Sequence, residues 1–515
     1  MHLWYNWYIM ATLKEFRDER VRKLKDLQEL GFNAYPAKAN RTAMAMAITD
    51  NFDQFDGKTE TVFGRIKSIR KFGKLAFIVI RDFSGTIQLF LQAQNVEATN
   101  GATGVVGIDA LNLLDTGDFI EATGQVIKTK TGEVSLAATQ LRLITKALRP
   151  MPLEHESFTD KEERLRRRYV DMNVNIHVRD RFVRRAAFWQ ATRDFLISKG
   201  FIEISNTVLE GTAGGADANP FVTHMDALDQ DFFLRISHEL PLKRLLVAGF
   251  EKVFEIGPRF RNENYSEEHL PEHNAMEWYW SPADWEMGME LTEEMMRYVA
   301  DKTWGTRKFT LADGTQVDFG KDGERFPRIS FVDVLKEQYD IDVFESSMDE
   351  IRAKLKAEGL EVEKVDNRNR SLDKLWKKYR KTIVGPVYLI DMPVFMQPLA
   401  KVNANDPRLT EQFNLVFGGS EMCKAFSELN DPIDQLDRFM EQQEMRDAGD
   451  DEAQMLDIDF VEALEYGMPP ACGLGYSERI FWSLEGITAR EGVPFPQMRR
   501  EVDEVTKGIY PGIAF

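Results

Sequence analysis

The chain has 515 residues, 43% of them hydrophobic and 29% charged. At roughly 150 residues per domain this predicts several globular domains with full cores, and it excludes a largely disordered chain. Two cysteines, Cys423 and Cys472, exclude a disulfide scaffold and a multi-cysteine zinc module, and point to reducing, cytoplasmic surroundings. No apolar run approaches the roughly 20 residues needed to span a bilayer, so no membrane partner is expected. The net charge is −18, yet residues 1–150 carry 20 Lys+Arg against 16 Asp+Glu while the rest carries 46 against 68. A basic front on an acidic body fits a polyanion partner for the front, and equally fits an ordinary solvated surface.

In chain order, Met1–Met10 is apolar and aromatic but lacks a basic n-region and a small-residue cleavage site, so it does not read as a signal peptide. Met10 is an alternative start. Residues 12–31 predict one amphipathic helix, with Leu13, Phe16, Leu24, Leu27 and Leu30 near helical spacing and Gly31 as the stop. Five β-like runs follow: Val62–Ile69, Leu75–Arg81, Thr86–Leu91, Phe119–Thr129 and Glu133–Ile144. Five strands separated by short polar turns fit a small barrel of the oligonucleotide-binding type, with 95–114 as a long connection and 148–152 as a linker.

Beyond it, 178–199 predicts a strong helix. Strand-like segments at 201–204, 232–236, 253–256, 272–280, 387–391, 413–417 and 473–476 alternate with helical stretches at 241–249, 282–303 and 432–448. This irregular alternation predicts an α+β domain on a mixed or antiparallel sheet. The expected division is a helical extension over 1–50, a barrel domain over 51–150 and a large α+β domain over 151–515.

Several common motifs fail. There is no G-x-x-x-x-G-K-[ST], and Gly473-Leu-Gly475 lacks the third glycine of a dinucleotide loop. His269-Leu-Pro-Glu-His273 matches a zinc string, but Pro271 between the histidines argues against the helix that such a site requires. More informative is 252–280. Val253–Ile256 runs into Arg259-Phe-Arg261-Asn-Glu263, and Glu272–Trp280 returns as a strand after a mostly polar loop. Alternation puts Arg259, Arg261 and Glu263 on one side. On the return strand His273, Ala275, Glu277 and Tyr279 share a face, opposite Met276, Trp278 and Trp280. Such a face needs a charged ligand or internal ion pairs.

This hairpin resembles motif 2 of the class II aminoacyl-tRNA synthetases, and nearly the whole chain resembles the lysyl family of that class. The matching strings are RRRYVDMNVN (166–175), GGADANPFVTHMDALD (214–229), LRISHELPLKRLLVAGFEKVFEIGPRFRNE (234–263), FSELNDPIDQ (426–435) and DAGDDEA…DFVEALEYGMPP (447–470). The resemblance implies an α+β fold: an N-terminal five-stranded OB-type barrel that reads an anticodon, followed by a catalytic domain on an antiparallel sheet flanked by helices. Motif 1 would lie near 178–210, motif 2 near 252–280 and motif 3 near 471–485. It also implies a homodimer, tRNA(Lys), ATP and L-lysine as partners, Mg2+ as cofactor, and neither DNA nor a membrane.

The resemblance also implies roles for single residues. Arg261 would hold the lysine carboxylate and the ATP α-phosphate and stabilise charge at phosphorus. Glu263 would meet the adenine end and His273 would stack under it. His269 would meet the outer phosphates, Arg479 would clamp the γ-phosphate, and Glu421 and Asn414 would stand at the magnesium positions. Gly215 and Glu239 would receive the α-amino group. Glu277, Tyr279 and Glu428, with Phe426, would enclose the ε-ammonium. In the barrel Phe77 would stack on an anticodon base, with Gln88, Arg70 and Glu133 reading beside it.

The chain departs from the family at Thr207 (a proline), His273 (an aromatic), Asn414 (a glutamate) and in a motif 3 one residue short. It also has Lys424 where an asparagine is usual. Lys424 either strengthens binding of the amino-acid carboxylate or pairs with Glu428 and competes with the substrate. Two other readings compete: a synthetase for aspartate or asparagine, which would need a cation in place of Glu277 and Glu428, and a non-catalytic RNA-binding paralogue.

Overall fold

The structure is a computed structural model and describes residues 12–152, 158–263, 265–363, 367–449 and 453–513. The expected alternative start at Met10 lies outside the described residues. The chain forms two compact units, residues 1–174 with 497–515, and residues 175–496.

The first unit opens with the helix Leu13–Glu29. Thr12 caps it reciprocally with Glu15, and Leu27 is buried. Five strands, β1 (Thr59–Phe72), β2 (Leu75–Arg81), β3 (Thr86–Gln92), β4 (Phe119–Lys128) and β5 (Val134–Thr145), close a barrel in the order β1-β2-β3-β5-β4. Only the β3–β5 pair is parallel. Alternation builds the core: Ala76, Ile78 and Ile80 of β2 and Ile87, Leu89 and Leu91 of β3 point inward and are almost fully buried. The connection between β3 and β4 contains a short 3-10 helix, Ile108–Leu113, whose Leu111 and Leu113 are buried. Periodicity alone does not announce so short an element.

The second unit is built on an eight-stranded sheet. Its strands are β6 (Ile202–Glu203), β10 (Lys252–Phe260), β11 (Glu272–Trp280), β14 (Arg328–Ser330), β15 (Val387–Ile390), β16 (Gln412–Phe417), β17 (Ser420–Ser427) and β18 (Cys472–Ser477). Their order is β14-β15-β16-β17-β18-β11-β10-β6. The middle of the sheet is antiparallel, and the β14–β15 and β10–β6 pairs are parallel. Two small sheets complete the unit: β7 (Leu209–Glu210), β8 (Val222–Met225) and β9 (Gln230–Leu234), and the hairpin β12 (Lys308–Thr310) and β13 (Gln316–Asp318).

Alternation on β11 divides the two faces as the residues predict. Met276 and Trp278 belong to the core that holds the long helices Ile176–Ser198 and Trp285–Trp304. Tyr279 belongs to a separate core with the helices Glu239–Val247, Pro432–Asp447 and Ile458–Glu465. Glu277 lies two residues before Tyr279 and so points toward this second face. Every residue of β16 is buried, as suits a strand covered on both sides. Cys423 and Cys472 are buried free thiols.

Candidate active site

The β10–β11 hairpin positions the charged residues. Arg259 and His273 are directly paired, while β10 ends at Phe260, so Arg261 and Glu263 project from the loop rather than from the strand as alternation suggested. The Arg261 N–H donates to the Pro271 carbonyl at 2.8 Å, which ties the two arms of that loop together. A cavity of about 390 Å³ opens here. Its lining includes Gly215, Glu239, Arg261, Glu263, His269, His273, Glu277, Tyr279, Glu421, Lys424, Phe426 and Arg479.

One end of the cavity is cationic. Arg259, Arg261 and Arg479 crowd together with His269 and His273. Burial and the neighbouring Arg261 lower the Arg259 guanidinium to about 9. Burial and Arg479 lower His269 to about 4, and burial and Arg259 hold His273 well below its ordinary value. Both imidazoles are therefore neutral near pH 7. Arg479 donates to His269 Nε2 at 2.6 Å and Arg259 donates to His273 Nε2 at 2.8 Å. Each Nε2 is thus an acceptor, and each Nδ1 carries the proton, facing Ser266 Oγ at 2.8 Å and the Leu270 carbonyl at 3.1 Å respectively. All four ring nitrogens are engaged within the protein, and His269 and His273 share no helix. Among the described residues the Nε atoms of Arg261 and Arg479 are buried without a hydrogen-bond partner. Like charges crowded in this way are built to meet a polyanion.

The other end is anionic. Glu277 Oε1 accepts from Ser237 Oγ at 2.8 Å and from the His238 N–H at 3.0 Å, and Tyr279 donates to Oε2 at 3.3 Å. Burial alone would raise this carboxyl, but the His238 hydrogen bonds and Arg259 outweigh it and hold it at about 2. Glu428 is fully buried behind Gly473 and Tyr279. A Cβ at position 473 would stand 2.3 Å from Glu428 Oε1 and 2.3 Å from Tyr279 Cε1, so only glycine leaves room there. Gly215, at φ +81°, lets its backbone approach Glu239, whose Cβ would lie 2.9 Å from any Cβ at 215.

The cation on Glu428 is Lys243, one helical turn after Glu239, and not Lys424. Lys243 bonds Glu239 Oε1 at 2.6 Å and also contacts Glu428 Oε2. Lys424 is exposed, lies over the Phe426 ring at 5.7 Å and forms no ion pair among the described residues. Of the two readings of Lys424, the pairing with Glu428 is thus not the one found. β17 turns the Lys424 ammonium toward the open cavity, and the buried position is already filled from the helix Glu239–Val247.

At the expected metal position Glu421 is half-buried. Its Oε1 accepts from the Trp376 indole at 2.6 Å and lies 3.4 Å from Arg380, while Oε2 accepts from the Asn414 amide at 2.9 Å. Asn414 stands behind Glu421, outside the cavity lining, and its Oδ1 accepts from Gln412 at 3.1 Å. It acts as a partner of the carboxylate and not as a second anionic ligand. One carboxylate at the cavity wall suits a Mg2+ ion that takes most of its oxygens from phosphates and water.

Comparison with known families decides the affiliation. Residues 160–499 match the model for tRNA synthetases class II (D, K and N), and residues 60–144 match the OB-fold nucleic acid binding domain. The chain belongs to the class II tRNA synthetases. Similar full-length proteins include the lysine–tRNA ligase of Fervidobacterium nodosum, 42% identical over 499 residues and covering 95% of both chains. That of Thermotoga maritima is 39% identical over 512 residues, covering 97% of this chain and 99% of its own. That of Carboxydothermus hydrogenoformans is 41% identical over 495 residues, covering 95% and 98%.

In this class II synthetase the barrel residues form a separate group. Arg70 pairs with Phe77, Phe77 with Phe90, and Val79 with Gln88, so Arg70, Phe77 and Gln88 share one outer face. Phe77 is half-buried and stacks on Phe90 at 5.2 Å, while Ala76 and Ile78 on either side are in the core. Gln88 donates to Ser135 Oγ at 2.9 Å, two residues after the exposed Glu133. The site residues that the sequence reading left out are Lys243, Ser237, His238 and the Trp376–Arg380 pair. Lys243 was signalled by its i,i+4 spacing from Glu239. The others reach the site only through tertiary contacts.

Proposed function

We propose that this chain is a lysine–tRNA ligase that activates L-lysine with ATP and transfers the lysyl group to the 3′ end of tRNA(Lys). The observation that carries this reading is one cavity with guanidinium groups at one end and the buried carboxylates Glu239 and Glu277 at the other, with Glu428 buried just behind its wall at Gly473 and Tyr279. The relatives named lysine–tRNA ligase, at about 40% identity over nearly their full length, support it.

Lysine lies with its α-ammonium at Glu239 and the Gly215 backbone, and its ε-ammonium at Glu277, Tyr279 and Glu428 beside Phe426. An amino acid with a neutral side chain would leave these carboxylates unpaired. Arg261 holds the amino-acid carboxylate against the α-phosphate, with Lys424 adding charge from the cavity rim. A carboxylate oxygen attacks the α-phosphorus and pyrophosphate leaves. Arg261 stabilises the charge that builds there, and Arg479 with neutral His269 receives the outer phosphates. Glu263 meets the adenine end and His273 lies under the ring. Mg2+, when bound with ATP beside Glu421, neutralises phosphate charge. The 3′-terminal ribose hydroxyl of the tRNA then takes the lysyl group from the adenylate and AMP leaves.

In the barrel, Phe77 stacks on an anticodon base, with Arg70, Gln88 and Glu133 reading polar edges. A barrel domain for the anticodon and a catalytic domain around the large sheet, assembled as a cytoplasmic homodimer, complete the reading. The test is ATP–pyrophosphate exchange with lysine, aspartate, asparagine and no amino acid. Exchange with lysine alone is expected. Exchange with aspartate or asparagine alone, or with none, would overturn the assignment.

A further inference from the structure

Lys243 stands out among the buried charges of the second unit. Its side chain is 0% exposed, as is that of Glu428, and that of Glu239 is 8% exposed. Its ammonium touches both carboxylates and lies 5.2 Å from the Phe426 ring and 5.8 Å from the Phe460 ring. Two buried carboxylates thus share one internal cation. Glu428 Oε1 has no hydrogen-bond partner among the described residues and adjoins Gly473 and Tyr279 of the cavity wall.

We propose that Lys243 is a positioning residue that couples Glu239 to Glu428, and that lysine binding expels one proton retained by this carboxylate pair. The inference rests on the assignment of lysine to this cavity. Two anions and one cation in a dry site leave one negative charge uncompensated, and the cheapest neutralisation is a proton shared by the pair. The substrate brings two ammonium groups. Once they pair with Glu239 and Glu428, the retained proton has no further use and leaves the carboxylic O–H for the buffer. Lysine entry is then an exchange of charges in which the pocket is never left strongly negative.

The groups that face the pair are Glu277 and Tyr279 from β11, Lys424 from the rim, Cys472 from β18 and Lys243 itself. Burial raises the carboxyls of both Glu239 and Glu428, that of Glu428 well above the ordinary range, with Lys243 the strongest opposing influence on each. Glu277, held by His238 and Arg259, stays ionised and is not the source of the proton.

The experiment is titration calorimetry of lysine into the full-length protein near neutral pH, in buffers of low and high ionisation enthalpy. The expected slope of heat against buffer enthalpy corresponds to release of about one proton per lysine bound. Glu428→Gln, which removes the retaining carboxyl, should abolish that slope. Lys243→Met should raise the KM for lysine by about tenfold or more, with a much smaller change in kcat or in the KM for ATP. Lysine binding with buffer-independent heat in the unaltered protein overturns this proposal alone. So does a folded Lys243→Met with an unchanged KM for lysine. If Lys243→Met does not fold, the buffer slopes of the unaltered protein and of Glu428→Gln decide. Heat with another amino acid and none with lysine would overturn the lysine assignment, and this proposal with it.

Discussion

Arg259 donates from Nε to His273 Nε2 at 2.8 Å across directly paired positions of the β10–β11 hairpin. A guanidinium lowered to about 9 is still charged near pH 7, and using the imidazole as acceptor it keeps that imidazole unprotonated. Under the proposed function, His273 beneath an adenine would then stack as a neutral ring, and the pH dependence expected of a histidine at that position would move to lower pH.

The first prediction follows from this contact and its counterpart between Arg479 and His269. The KM for ATP should stay flat between about pH 6 and 8, because His269 titrates at about 4 and His273 well below its ordinary 6.5. Stability should respond instead. A histidine whose folded value is depressed contributes stability above its unfolded value of about 6.5 and loses it as pH falls through the folded value. The melting temperature should therefore drop as pH is lowered from about 6.5 toward 4. An ATP KM that rises sharply between pH 7 and 6 would show that one of these rings is charged.

Gly473→Ala tests the fit of the anionic end. The added methyl would stand 2.3 Å from Glu428 Oε1 and from Tyr279 Cε1. Overpacking of this kind costs about 1–3 kcal/mol, or a factor of about 5–150 in the KM for lysine. Steady-state exchange kinetics at varied lysine would measure it. An unaltered KM would mean that the ε-ammonium does not lie against this strand.

Lys424→Asn should raise the KM for lysine by about fivefold, in keeping with the roughly 1 kcal/mol available to an exposed charge. The difference should shrink at high salt, because Lys424 is exposed and screened. Tighter lysine binding in the variant would mean that Lys424 repels the substrate rather than steering its carboxylate.

Phe77→Ala should raise the KM for tRNA(Lys) in aminoacylation by the equivalent of about 1–3 kcal/mol, the range for one stacked base. Phe77 also packs on Phe90, so a second measurement is needed. An equal fall in tRNA-independent exchange would place its contribution in folding of the chain instead.

Much of this was legible in the residues because it depends on local periodicity. Period-two alternation announced the five barrel strands and divided β11 into Glu277 and Tyr279 on one face and Met276 and Trp278 on the other. Short elements escaped that signal. The strands β14 and β7, of three and two residues, are recognisable only through the neighbours they pair with. β10 ends one residue before Arg261, so the position of that guanidinium is set by a loop contact to Pro271 and not by strand alternation.

By itself the sequence determined which groups had to find partners: an excess of arginine and carboxylate on one hairpin, and glycines where strands meet the site. Tertiary structure alone decided which partners they found. It placed Lys243 and not Lys424 on Glu428, turned both histidines into acceptors for arginine, and put Asn414 behind Glu421. The reason is physical. Periodicity records the direction of a side chain from its own element, whereas the protonation state and charge of a buried group depend on atoms brought within a few ångströms from elements distant in the chain.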